Sequence, residues 1–178
     1  NNTSNPAGNF FNDGMAFYNQ RDYNNAIVSF KKSLALAPQN LITLNNLVAS
    51  FNELKMYDEA TKYGEKGLTI DSKYSLLKNN LYETQKAKSK LQPDANYYIN
   101  LSYNYYVQQD FEKCITASKR ILQYQPNSFL AWNNICSAYN SLNQYDKAVE
   151  ACNNGLKLAP TNDLLRNNKA VAVQGLQK

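Results

Sequence analysis

Histidine is absent from this chain. That removes in one stroke the commonest general base near neutral pH and the commonest metal ligand. Arginine occurs only at positions 21, 120 and 166, which leaves little for a nucleic-acid groove that interleaves guanidinium groups with aromatics. No stretch approaches the roughly 18 uninterrupted apolar residues of a membrane span, so the segment is expected to be soluble, with no membrane insertion. No secretory signal pattern opens it. It begins at Asn1 without an initiator Met, and residues 1–6 read as a polar linker from a longer protein. The three cysteines, Cys114, Cys136 and Cys152, show no CxxC spacing and leave one unpaired in any disulfide scheme.

What is present is length enough for one domain or two small halves, 178 residues, with a continuous core. Lys and Arg together number 19 against 14 Asp and Glu, for a net charge of +5. A balance of that size permits an anionic partner without singling one out. The compartment stays open between cytoplasm and a bacterial extracytoplasmic space.

The periodicity is helical throughout. Phe10 and Phe17 lie seven apart, and Ala26, Phe30 and Leu34 lie at spacings of four, which keeps each set on one helix face. Ala37-Pro38-Gln39-Asn40 ends a helix, because Pro lacks the amide donor and clashes with the preceding turn. No alternating strand pattern of useful length occurs, so the fold class is all-α.

The chain also repeats itself. Leu76-Leu77-Lys78-Asn79-Asn80 returns 88 residues later as Leu164-Leu165-Arg166-Asn167-Asn168. The same offset carries Asn45-Asn46 to Asn133-Asn134, Asn52 to Asn140, and Gly67-Leu68 to Gly155-Leu156. A 34-residue frame fits at 7–40, 41–74, 95–128 and 129–162. Its eleventh place is aromatic (Phe17, Phe51, Tyr105, Tyr139), and its twentieth is small (Ala26, Ala60, Cys114, Ala148). Pro closes it at Pro38, Pro126 and Pro160, with Ser72 standing in once.

These residues resemble the tetratricopeptide repeat, whose helix pair carries that order of aromatic, small and closing Pro residues. The resemblance covers roughly residues 7–178 and implies an α-solenoid of antiparallel helix pairs. Two units are expected, 7–92 and 93–178, each of two repeats plus one capping helix, 75–91 and 163–177. Ser75 and Asp163 are the expected N-caps of those helices. At Gln92-Pro93-Asp94 a capping helix meets another first-type helix, so an irregularity in the solenoid is expected there.

The candidate chemistry is sparse. Each cysteine occupies a place where the repeat wants a small or buried residue, and all three read as core thiols. Asp58, Glu59, Asp110 and Glu112 fall at turns and helix starts, where negative charge offsets the helix dipole. The basic run from Lys86 to Lys90 falls at a helix C-terminus, where positive charge is favoured. No catalytic residue, metal site or cofactor is assigned.

The resemblance places ligands in a groove lined by the first helix of each pair. Phe11, Met15 and Tyr18 form one stripe there, and Ile99, Tyr103 and Tyr106 form its counterpart. An asparagine wall follows: Asn45, Asn46 and Asn52, then Asn133, Asn134 and Asn140, with Asn80 and Asn168 at the far ends. The sixth place of each first helix is always asparagine: Asn12, Asn46, Asn80, Asn100, Asn134 and Asn168. An Asn amide offers a donor and an acceptor, which matches one extended peptide unit. The expected activity is therefore non-enzymatic binding of an extended peptide or protein segment, with nucleic acid disfavoured and a homodimer an open option.

The variant of the family that grips a C-terminal carboxylate is not matched. Its basic places hold Phe11, Met15, Leu76 and Asn80 in one half, and Ile99, Tyr103, Leu164 and Asn168 in the other. A second, shorter resemblance joins Asn133–Asn140 and Leu164–Ala170 to the repeat tails of bacterial membrane glycosyltransferases. It implies, as an alternative, a soluble accessory tail of a larger membrane enzyme.

Overall fold

Each first helix of the four repeats ends on the same device. In a computed structural model describing residues 5–177, the helices α1 (Pro6–Asn19), α3 (Leu41–Glu53), α6 (Ala95–Val107) and α8 (Phe129–Ser141) run into a left-handed residue. That residue is Arg21, Lys55, Gln109 or Asn143, with φ between 56° and 61°. Its amide bonds back to Tyr18, Asn52, Tyr106 or Asn140, and the next amide reaches Phe17, Phe51, Tyr105 or Tyr139. This is the Schellman arrangement, which satisfies the last carbonyls of a helix and reverses the chain. The aromatic eleventh place of the sequence frame thus supplies the carbonyl on which every turn closes.

The returning helices are α2 (Tyr23–Leu36), α4 (Tyr57–Ile70), α7 (Phe111–Tyr124) and α9 (Tyr145–Leu158). The remaining two are α5 (Ser75–Ser89) and α10 (Asp163–Gly175). No strand occurs among the described residues, as the periodicity predicts. Of the expected linker, residues 1–4 lie outside the described residues. Asn5 and Pro6 belong to α1: the Asn5 side chain accepts from the Gly8 amide, and Pro6 takes the first helical place, where its missing N–H costs nothing. The fold is all-α, and no helix among the described residues is long and apolar enough to cross a membrane.

By packing, the chain divides into two compact units, Asn1–Leu91 and Gln92–Lys178. In the first, α3 lies against α2, α4 and α5, and its buried face carries Leu44, Leu47, Val48 and Phe51. Close approach depends on missing side-chain atoms. A Cβ at Gly14 would stand 2.5 Å from the Phe30 ring, and one at Gly67 would overlap Leu77. In the second unit a Cβ at Gly155 would stand 2.7 Å from Leu165. Leu165, Ile135, Ile121 and Ala148 form the core there.

Two sequence expectations need correction. The N-caps of α5 and α10 are Tyr74 and Asn162, one residue before Ser75 and Asp163. Asn162 wins because its own extended backbone places its carboxamide oxygen 3.0 Å from the Leu165 amide. Cys136 and Cys152 are not separate core thiols; a disulfide joins them between α8 and α9, with Cα atoms 5.4 Å apart. Cys114 alone is a free, buried thiol. Burial pushes its pKa up to about 11, since the thiolate would lose its hydration.

Candidate functional site

Most of the asparagines expected to line a groove bond across helices, to one another or to a hydroxyl. In the first unit Asn80 Nδ2 on α5 donates to Asn45 Oδ1 on α3 at 2.9 Å. In the second, Asn168 Nδ2 on α10 donates to Asn133 Oδ1 on α8 at 3.0 Å. The two bonds join corresponding positions of the sequence repeat. Asn168 Nδ2 also donates to Ser137 Oγ at 2.8 Å, and Asn140 Nδ2 to the Asn168 carbonyl at 2.8 Å. Asn134 Nδ2 donates to Ser102 Oγ on α6 at 3.1 Å. Asn52 Oδ1 lies 2.9 Å from Thr84 Oγ1, which also reaches the Asn80 carbonyl at 2.7 Å. Asn46 donates back along its own helix to the Ile42 carbonyl at 2.9 Å.

These amides are therefore clamps between first helices before they are anything else. They are half-buried, where an amide–amide bond contributes more than at the surface. The clamps do not use every polar atom. Each cross-helix pair leaves the Nδ2 of Asn45 or Asn133 and the Oδ1 of Asn80 or Asn168 unengaged, and none of these four atoms is buried. Asn12 and Asn100, at the same helical place on α1 and α6, are exposed.

The aromatic stripe divides. Phe11 is half-buried with its ring centroid 5.8 Å from that of Phe30, so it belongs partly to the core. Tyr18 packs edge-on against Tyr23 at 5.3 Å; burial first, then the charge of Glu53 and Tyr23, raises its pKa. Tyr103 stands 62% exposed, and Tyr106 is partly open with its edge 5.4 Å from Phe111. Beside them the second place of successive first-type helices exposes an aliphatic side chain: Ile42 and Leu76 in the first unit, Leu130 and Leu164 in the second.

The repeat pattern marks these positions but not their partners. Thr84, Ser102 and Ser137 supply hydroxyls to the clamps, and only the spacing of 35 residues between Asn45 and Asn80 hinted at a bond across the repeat. Among the described residues no group of three or more His, Cys, Asp or Glu could hold a metal ion.

Two stretches match the tetratricopeptide repeat family, residues 129–162 and residues 9–40. The first coincides with the fourth repeat of the sequence frame. The chain is 29% identical over 170 residues to a peroxisomal targeting signal receptor of Candida albicans, with 82% of this chain and 28% of the receptor covered. It is 24% identical over 179 residues to stress-induced-phosphoprotein 1 of Caenorhabditis elegans, with 93% of this chain and 56% of that protein covered. The chain thus spans well under two thirds of the length of either relative. A solved TPR2AB-domain:pHSP90 complex of yeast Sti1 aligns with 96% of this chain and 84% of its own, at 19% identity and a TM-score of 0.46.

Proposed function

We propose, from the premise that the chain is a tetratricopeptide repeat protein, that it is a protein–protein interaction scaffold. Relatives that are a targeting-signal receptor and a stress-induced phosphoprotein support the general reading. The finer reading is that the face of first helices in each unit holds an extended peptide, with no catalytic step.

The observation that carries it is the amide pair made at corresponding places in both units. A peptide unit has one N–H and one C=O to satisfy, and the spare Nδ2 of Asn133 and Oδ1 of Asn168 present the complementary donor and acceptor. The clamp that binds the helices also fixes the rotamers of these amides, so little side-chain entropy is lost when a ligand arrives. Exposed Tyr103, with Asn100 one turn before it, supplies a rigid aromatic contact of the kind that dominates interfaces.

The test is binding of the full chain to an array of short peptides, with Asn100→Ala and Tyr103→Ala compared against the parent. Both residues are exposed, so the variants keep the fold. Affinity is expected to fall about tenfold in the pair, equivalent to about 1.4 kcal/mol. Absence of binding by every peptide would sink the reading, and unchanged affinities in both variants would strike the second unit's face from it.

A further inference from the structure

Across α6 and α8 the first-helix face of the second unit is free of charge, and Asp163 at the start of α10 is the charge beside it. Neither α6 nor α8 contains an Asp, Glu, Lys or Arg. The charged residues on or beside the corresponding face of the first unit include Glu53, Glu83 and Lys86, with Glu53 acting on Tyr18 and Glu83 facing Lys86 at 4.0 Å. At the same places of the sequence repeat, 88 residues on, stand Ser141, Val171 and Gln174. Each of these charges is replaced by a neutral side chain.

The charges of the second unit sit elsewhere. Lys119, Arg120, Lys147, Glu150 and Lys157 are exposed on α7 and α9. On α10, Arg166 and Lys169 share a cavity with Leu156, Ala170 and Val173. Arg166 is two residues from Asn168, about 200° around the helix, so it points away from the clamp on α8. What the neutral face exposes instead is Tyr103, Tyr106, Leu130, Leu164 and Val171, with Asn100 among them. An exposed apolar patch rimmed by amides is the surface of an interaction site.

We infer that this face of the second unit takes an uncharged, internal stretch of a partner protein, rich in aliphatic or prolyl side chains, and rejects C-termini and acidic segments. The inference rests on the peptide reading above and names its ligand. A carboxylate docked there gives up its hydration and meets amides, apolar groups and the like charge of Asp163, with no counter-charge to offset the loss. A backbone with both ends amidated has no such loss, because its N–H and C=O groups pair with Asn carboxamides.

The experiment uses the full chain and short peptides of Ala, Leu, Pro and Ser, acetylated and amidated. Each is repeated with a free C-terminal carboxylate and with one central Asp or Lys. The neutral peptides are expected to bind, with affinity almost constant from about 0.05 to about 0.5 M salt. The carboxylate and Asp forms are expected to bind at least about tenfold more weakly. Val171→Glu, which restores the residue type of Glu83 at an exposed position, is expected to weaken the neutral peptides and strengthen the Lys form. Equal binding of carboxylate and neutral forms, or a steep salt dependence, overturns the inference and leaves the interaction reading standing. Binding that ignores both Val171→Glu and Tyr103→Ala does the same, because it places the ligand on the other unit. Failure of every peptide to bind would remove the interaction reading and this one with it.

Discussion

Thr84 Oγ1 stands 2.9 Å from Asn52 Oδ1 and 2.7 Å from the Asn80 carbonyl, with one proton to give to either, and at its place in the second unit stands Ala172. Asn140, the counterpart of Asn52, uses its Nδ2 on the Asn168 carbonyl, and its Oδ1 is buried with no partner among the described residues. A buried acceptor without a donor is destabilising by about 1–3 kcal/mol. Ala172→Thr is expected to supply that donor and raise the stability of the second unit by about 1 kcal/mol, read as a higher melting temperature. Thr84→Ala is expected to lower the stability of the first unit by a similar amount. A fall in melting temperature for Ala172→Thr would mean that the fully buried site has no room for the added atoms.

The disulfide between Cys136 and Cys152 closes a loop with a sequence separation of 16. Constraint of the unfolded chain by a loop of that size contributes about 3 kcal/mol. A dithiol reductant should therefore lower the unfolding midpoint of the parent chain, while a Cys136→Ala, Cys152→Ala variant should start at the lower midpoint and ignore the reductant. Cys152 Sγ also lies 3.3 Å from the Leu165 carbonyl; a disulfide sulfur has no proton, so this is a packing contact onto α10.

Lys55 and Gln109 hold left-handed backbone, with φ of 56° and 61°, at the turns that end α3 and α6. A residue with a Cβ is disfavoured there by about 1–2 kcal/mol, and Gly is not. After the larger entropy loss of Gly, about 0.5–1 kcal/mol, is subtracted, Lys55→Gly and Gln109→Gly are each expected to stabilise by about 0.5 kcal/mol. Asn143→Gly should do less, since Asn tolerates this region better than most residues. Urea unfolding midpoints of the three variants, ranked, test the order.

Cys114 sets a pH dependence of definite sign. Its folded-state pKa is raised to about 11 from an ordinary 9.0, so between those values the unfolded chain releases a proton that the folded chain keeps. The contribution is fully present below pH 9 and is lost as pH rises toward 11. Stability of the parent should fall more steeply across that window than stability of Cys114→Ala. At neutral pH the native thiol should resist alkylation until the chain is unfolded.

The helices and their pairing could be read from the sequence because the repeat frame writes them in residue sizes. Phe30 needs Gly14 opposite, and the frame's small places hold Gly14, Ala26 and Ala60. The cysteines could not be read that way. A Cys at a small, buried place looks the same whether free or bonded, and only the 5.4 Å approach of two Cα atoms on different helices separates Cys136 and Cys152 from Cys114. The asparagines were legible as positions and illegible as partners. Whether Asn46 turns to Ile42 while Asn45 reaches Asn80 depends on rotamers in a packed interface, which the pattern of residue types does not record. The cap before α10 was displaced by one residue because Asn162 and Asp163 are both capping types; the extended backbone at Asn162 decides between them.

The bare face of α6 and α8 also bears on kinetics. Encounter between oppositely charged surfaces is accelerated by long-range attraction, and a face with no charge has none to offer. A partner reaching Tyr103 and Leu164 would arrive at an unsteered rate, about 10⁵–10⁶ M⁻¹s⁻¹, with little response to ionic strength. Differences in affinity among such partners would then be differences in how long each one stays.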